Sequence, residues 1–303
     1  MDLKTLQTGG KAALARALAH VEAKPDAPET VRLLSDAYKA PRAHVVGITG
    51  PPGVGKSTLI NALIAGWRAD RRTVGVIAVD PSSRKSKGAL LGDRTRLQTD
   101  PEDTGVYVRS MAARDRLGGL AGLTVAAMVL MRALFDVVLI ETVGVGQSET
   151  DVVRVADTVV FCVQPGSGDS LQFMKAGIAE IPHIVLVTKA DMGAAAERAA
   201  ADVHGALSLA EADMEGWEIP VLQISSMRKQ GMDEVIGAMD RHLTHLRDRH
   251  MLAETRRAQA TEWLEEFIRE RFGREGLKKV APVTLDAADS PFARLAEVSE
   301  RLV

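Results

Sequence analysis

Gly50-Pro51-Pro52-Gly53-Val54-Gly55-Lys56-Ser57-Thr58 carries residue types at a spacing that can hold phosphate groups. The pattern is Gly, four residues, Gly, Lys, Ser/Thr. Its glycines let the backbone wrap an anion with N–H groups, and a helix opening directly behind adds a positive dipole end. Lys56 is placed to reach β- and γ-phosphates, and the Ser57 hydroxyl to ligate Mg²⁺. An ordinary glycine-rich turn would share the composition. It would not need a strand-like run before it, Val45–Thr49, and a helical pattern after it from Ser57, and both are present.

A second chemical end lies at Glu141-Thr142-Val143-Gly144, directly after the apolar run Val137–Ile140. A carboxylate at the C-terminal end of such a strand, near the phosphate loop, can hold a Mg²⁺ shell through water. Gly144 would let a backbone N–H approach the γ-phosphate. Val145 stands where a Ras-type GTPase carries its water-positioning glutamine, and Gln147 comes two positions late. Slow hydrolysis by the isolated chain, accelerated by a partner, is the expectation. Thr188-Lys189-Ala190-Asp191 closes another apolar run, Ile184–Val187. A carboxylate such as Asp191 can accept from guanine N1–H and N2–H₂, a pair adenine does not offer, while the Lys189 stem covers the base face. Asn is more usual at the first position of this tetrad, although signal-recognition-particle GTPases use Thr there. Ser225-Ser226-Met227, after Val221–Ile224, occupies the place of a last guanine-contacting loop.

Such loops need rigid strands behind them. Apolar runs at 45–49, 74–79, 106–109, 137–140, 159–163, 184–188 and 221–224 are mostly continuous rather than alternating, as strands buried on both faces of a parallel sheet require. Helical stretches separate them. The expectation is an α/β, P-loop NTPase domain over residues 43–246, with a doubly wound, mostly parallel sheet. Residues 1–42 read as an N-terminal helical extension whose helical spacing starts at Ala12, with Leu14, Leu18 and Val21 on one face, a break at Pro25 and Pro28, and a second helix to about Tyr38. Residues 247–303 read as a C-terminal arm. Its charged helix, Arg247–Arg271, is expected to break at Gly273 and Gly276, leaving a short tail with Pro282 and Pro291. That helix either packs on its own domain or, since the α/β core is already complete, forms a dimer.

Composition narrows the function classes. The 303 residues carry a formal net charge of −2, which removes the electrostatic footprint expected of a nucleic-acid binder. The one cysteine, Cys162, allows neither an intrachain disulfide nor a cysteine zinc cluster, and its place inside an apolar strand reads as structural. The longest apolar helical run, Leu120–Met131, ends at Arg132, well short of the roughly 20 residues that span a bilayer. No secretory pattern opens the chain, so a cytoplasmic protein without a membrane partner is expected. The seven histidines show no ligand spacing, and His242 with His245 read as a solvated helix face.

Six further segments are more specific: Ala78-Val79-Asp80-Pro81-Ser82-Ser83, Leu91-Gly92-Asp93-Arg94-Thr95-Arg96, Arg109-Ser110-Met111-Ala112, Leu117-Gly118-Gly119-Leu120-Ala121, Glu141 to Glu149, and Pro165 to Gln172. In this order they resemble the MeaB/ArgK family, GTPase chaperones of adenosylcobalamin-dependent acyl-CoA mutases. The resemblance runs from the helical extension to at least Met239. It implies GTP/GDP and Mg²⁺ as ligands, a mutase as partner and a homodimer made by the C-terminal helix. It further implies that Asp80, Asp93 and Glu141 surround Mg²⁺ with Ser57 as a direct ligand, and that Lys56, Asp93, Glu141 and Gly144 serve the chemistry. Residues 85–96 resemble the first switch, 143 to about 154 the second, and 164–177 an additional switch facing the mutase. Arg96, Asp169 and Lys175 match positions that couple nucleotide state to the partner.

The chain departs from that pattern at Thr188 and in the basic stretch Ser83-Arg84-Lys85-Ser86-Lys87-Gly88. Two other readings stand beside the chaperone: an ATP-dependent kinase of a transport protein, and a metal-insertion GTPase. The first needs an acceptor site and a base, the second metal ligands.

Overall fold

The computed structural model describes residues 2–81, 97, 99–113, 122–142, 152–166, 182–209 and 216–302. Seven strands make one sheet: β1 His44–Thr49, β2 Val74–Pro81, β3 Val106–Ala113, β4 Val137–Glu141, β5 Thr158–Val163, β6 Ile184–Val187 and β7 Val221–Gln223. Their order is β3-β2-β4-β1-β5-β6-β7 and every pairing is parallel. All seven apolar runs of the sequence are strands. The edge strand β3 extends four residues past its apolar run into Ser110–Ala113, and Arg109 on it is ion-paired with Glu22. A half-exposed edge tolerates polar side chains that a central strand would not.

Alternation along each strand sorts the layers. Val46, Ile48, Leu139, Val160, Cys162 and Leu186 face α3 (Lys56–Ala69) and α6 (Met232–Asp248). Val45, Val138, Ile140 and Val159 face the opposite layer, where α4 (Gly122–Leu134) packs with α1 (Leu3–Ala23) and α2 (Pro28–Lys39). On that same side Phe161, Val163, Val185 and Val187 cover α5 (Ala194–Leu209). A 3-10 turn at Val152–Arg154 presses on β1 so closely that a Cβ at Gly47 would sit 2.2 Å from a Val152 methyl. Only glycine fits there.

The termini show the expected break at Gly273 and add helix beyond what the sequence suggests. A first helical segment starts at Leu3, ahead of Ala12, and the chain breaks at Gly10 before the helix resumes. In the C-terminal helix α7 (Met251–Val280) the backbone leaves the helical region at Gly273, as expected, but helix resumes after it with Gly276 buried inside. The tail is not irregular throughout, because Pro291 opens a further helix, α8 (Pro291–Leu302). Proline suits the first turn of a helix, where its missing N–H has no partner to lose. α7 packs on its own domain. Gln259 donates to the Val153 and Ala156 carbonyls at 2.7 and 2.9 Å, and Arg154 reaches Glu262 and Glu266.

The N-terminal edge of the sheet is closed by buried polar groups. Asp157, 1% exposed at its side chain, takes two hydrogen bonds from Arg256 of α7 and one from the Val45 N–H. Burial alone would raise its carboxyl, but the Arg256 hydrogen bonds and charge hold it below the usual range. Beside it the Thr158 hydroxyl lies 2.7 Å from both His44 Nε2 and His242 Nδ1. One hydroxyl proton serves one of the two rings, so the other imidazole must donate. His183 accepts from the Val159 N–H and lies against His242, ring centroids 4.3 Å apart and tilted by 39°. His242 is therefore core rather than solvated face. Burial pushes His44 and His183 down to about 4 and His242 to about 2.

Two outcomes follow from this edge. An unfolded histidine titrates near 6.5, so below that pH the unfolded chain binds more protons than the folded one, and stability falls as pH drops from about 6.5 toward 4. Each fully buried imidazole accounts for up to about 1.4 kcal/mol per pH unit. Urea unfolding should be flat above pH 7 and steepen below 6, and His242→Gln should lessen that slope; an unchanged slope would count against the account. Separately, Arg256→Leu leaves Asp157 buried and unpaired, and the loss in the same assay at pH 7.5 should be about 3–5 kcal/mol.

Candidate functional site

The seven described strands run parallel, so their C-terminal ends open on one edge, where α/β proteins bind ligands. β1 delivers the phosphate loop there. Gly50 has φ 136° and lies against β5, where a Cβ would come within 2.4 Å of the Cys162 carbonyl oxygen. Gly55, at φ 103°, turns the chain into α3. Pro51 and Val54 are buried while Pro52, Gly53 and Thr58 face solvent. Lys56 is 7% exposed, and its ammonium donates to the Gly50 and Pro51 carbonyls at 2.7 and 3.2 Å. The lysine thus braces its own loop and holds its charge at the loop's mouth.

Parallel pairing of β1 with β4 sets Ile48 opposite Glu141. The Ser57 hydroxyl donates to Glu141 Oε1 at 2.9 Å, so a residue of the loop and a residue of β4 converge across 84 positions of chain. Thr142 Oγ1 and Thr49 Oγ1, 3.0 Å apart, tie the same two strand ends together. A hydroxyl and a carboxylate side by side, with phosphate oxygens to come, are the oxygen donors a hard cation such as Mg²⁺ takes. Ser57 and Glu141 fit it. Cys162, beneath the loop, is buried and its thiol is pushed up to about 12 by that burial.

β5 and β6 deliver the residues expected to read the base. Thr188, 4% exposed, donates from Oγ1 to the Val54 carbonyl at 2.8 Å and lies 3.0 Å from the Val163 carbonyl. It fastens the phosphate loop to β5 and β6. Lys189, at φ 57°, sends its ammonium to the Gly53 carbonyl at 3.2 Å and to Gln164 Oε1. The Asp191 carboxylate accepts from Ser225 Oγ at 2.6 Å. That hydrogen bond first, and a backbone N–H second, hold its carboxyl below the usual range. The Ser225–Gln230 bridge closes the loop that carries Ser226 and Met227. Met227 is 85% exposed beside this corner.

The structure therefore brings together Gly50 to Thr58, Glu141, Thr188, Lys189, Asp191 and Ser225 to Met227 on one edge. Asp80 lies in β2, opposite Ala112, with its side chain outside the described residues. Asp93, Arg96, Gly144, Asp169 and Lys175 also lie outside the described residues. The contacts of Thr49, Thr142 and Gln164 were not foreseen from the sequence. Each depends on which strand lies beside which.

Comparison with known proteins agrees with this geometry. The family model described as methylmalonyl Co-A mutase-associated GTPase MeaB matches residues 14–280. A Pyrococcus horikoshii protein named as a GTPase is 41% identical over 276 residues, covering 88% of this chain and 84% of the relative. GTPase ArgK of Escherichia coli is 33% identical over 314 residues, covering 99% and 95%. The mitochondrial methylmalonic aciduria type A homolog of mouse is 37% identical over 233 residues, covering 76% and 56%. Among solved structures, a LAO/AO transport system kinase superposes with a TM-score of 0.69 at 28% identity, covering 99% and 95%. Helicobacter pylori HypB, solved with nickel, shares the fold at a TM-score of 0.50 and 18% identity over 73% of this chain and 94% of its own.

Two substitutions test the division of labour. Lys56→Ala should weaken GDP and GTP at least tenfold, with a modest drop in melting temperature because the loop loses its brace; intact nucleotide affinity by calorimetry would contradict the assignment. Asp191→Asn should cost guanine nucleotides about 10- to 100-fold, the loss of a charge-assisted pair, while leaving weak ATP binding unaltered. Equal losses for both would mean the base is read elsewhere.

Proposed function

The chain belongs to the MeaB family of GTPases, and we propose that it serves as a Mg²⁺-dependent chaperone of an adenosylcobalamin-dependent acyl-CoA mutase, gating cofactor loading and the removal of damaged cofactor. One observation carries the nucleotide half of this reading. Ser57 of the phosphate loop meets Glu141 of β4 on the edge where Asp191 and Ser225 meet, so phosphate, cation and base positions share one face.

Within that site the chain's residues divide the work of converting GTP and water to GDP and phosphate. Loop N–H groups and the Lys56 ammonium bind the β- and γ-phosphates, and Ser57 with Glu141 would hold Mg²⁺. When bound, Mg²⁺ would supply neutralisation of the charge that develops on the phosphate oxygens. Asp80 and Asp93 are proposed to complete its acidic surroundings, and the Gly144 N–H to meet the γ-phosphate. Asp191, oriented by Ser225, selects guanine. Val145 in place of a water-orienting glutamine supports slow turnover by the isolated chain.

The client is proposed on three grounds. The family model carries the mutase in its description, the mouse relative is named for methylmalonic aciduria, and six sequence segments between Ala78 and Gln172 resemble the GTPase chaperones of such mutases. Arg96, Asp169 and Lys175 are proposed to pass the nucleotide state to the mutase by remaking ion pairs as γ-phosphate contacts come and go. Residues 247–303 are proposed as a homodimer arm after the extension 1–42 and the GTPase domain 43–246, and the setting as cytoplasmic. No described helix is long and apolar enough to cross a membrane.

Steady-state hydrolysis of GTP and ATP with Mg²⁺, alone and with methylmalonyl-CoA mutase or another B12-dependent acyl-CoA mutase, tests the proposal. The expected result is GTP-selective turnover well below the ~10 s⁻¹ typical of enzymes, rising many-fold when the mutase is added. Turnover indifferent to every such mutase would overturn the client. Phosphate transfer from ATP to a transport binding protein, or stoichiometric Ni²⁺ binding, would instead favour the kinase or the metal-insertion reading.

A further inference from the structure

Gln164 is the first residue after β5, and Thr188 and Lys189 are the first after β6. Because Val163 pairs in parallel with Val187, these residues leave the sheet side by side. The Gln164 amide oxygen accepts from the Lys189 ammonium at 2.5 Å, and the same ammonium donates to the Gly53 carbonyl at 3.2 Å. Lys189 is exposed, holds an unusual left-handed backbone at φ 57°, and would otherwise be free to turn its stem into water. Gln164 is half-buried, and Pro165 behind it is buried, so its side chain starts from a packed base. Of the two acceptors that hold the lysine, one belongs to the phosphate loop and the other to the segment leaving β5.

We propose that Gln164 is a positioning residue for the guanine nucleotide: it holds Lys189 in the conformation that makes a shelf for the base, and so makes nucleotide retention depend on the start of the segment after β5. This rests on the GTPase reading of the site. The physical reason is preorganisation. A lysine side chain loses rotamer freedom when it is fixed, and a residue that fixes it before the nucleotide arrives removes that loss from binding. The shelf is the same for GTP and GDP, so Gln164 acts equally on both and not on the chemical step. A partner that drew the start of this segment away from Lys189 would loosen the base without touching the phosphate loop.

Titration of GDP and GTP into wild-type, Gln164→Ala, Gln164→Glu and Lys189→Ala proteins and the Gln164→Ala/Lys189→Ala double variant tests this, with stopped-flow release of labelled GDP. The alanine variant should lose about three- to tenfold in affinity for both nucleotides, as expected for one charge-assisted hydrogen bond in partial contact with water. GDP should leave correspondingly faster, and KM for GTP should rise while kcat holds. Gln164→Glu keeps an acceptor and should restore retention. In the Lys189→Ala background the Gln164→Ala change should add nothing, since the glutamine acts through the lysine. Unaltered GDP release in Gln164→Ala, additive losses in the double variant, or a fall in kcat at constant KM would each overturn the proposal. Wild-type protein that fails to retain GDP, or Asp191→Asn protein that retains it fully, would overturn the underlying site reading instead.

Discussion

The site depends on β1 lying between β4 and β5 with all three parallel. That pairing sets Ile48 opposite Glu141 and Thr49 opposite Phe161, which puts the phosphate loop between a carboxylate on one side and the Cys162 carbonyl on the other. The strand period is two residues, so a slip of one position between β1 and β4 would turn Glu141 to the opposite face. Ser57 would then lose its partner. Close packing keeps the register: Gly47 admits Val152 against β1, and Val45 and Val46 bury on opposite sides of the sheet.

The two ends of the sheet solve opposite problems. At the C-terminal ends, oxygens and an ammonium are left with capacity for a ligand, and the protein holds them with short local bonds such as Thr188 to Val54 and Ser225 to Asp191. At the N-terminal ends the buried polar groups bond mainly to one another, although Arg132 Nε and His245 Nε2 find no hydrogen-bond partner among the described residues. Asp157 is satisfied by Arg256 and the Val45 N–H, and three imidazoles are kept neutral by burial. Arg256 and Gln259 come from α7, so the C-terminal helix is part of what closes this end, whatever else it contacts. Rigidity at one end permits discrimination at the other, because a strand anchored at its start delivers its last residue to a fixed place.

Local signals in the sequence were strong where one residue type is physically required. Seven apolar runs had to be strands buried on both faces, the phosphate loop had to follow one of them, and Asp191 had to stand just past another. They were weak at the termini. Gly273 has the left-handed backbone expected at a helix end, yet α7 resumes after it, because Leu277 and Val280 still find apolar partners beside Val283 and Leu285. Pro291 reads as a breaker until the same cluster gives Leu295 and Val298 a surface to cover.

The sequence by itself determined which residues could bind phosphate, cation and base, since glycine conformational freedom, a lysine charge and a carboxylate's paired acceptors are properties of the residues. Tertiary structure alone decided what those residues do when no ligand is counted. It turned Lys56 inward as a brace, set Gln164 against Lys189, and placed His242 in the core although its helix is rich in charge. Arg132 is the sharpest case. It ends the apolar run of α4 as if to reach water, but it is buried over the ring of Tyr38, and that burial pushes it down to about 10. Local pattern records only what a side chain prefers; its surroundings are set by elements up to a hundred residues away or more. Those neighbours are fixed by strand order, which no single segment encodes.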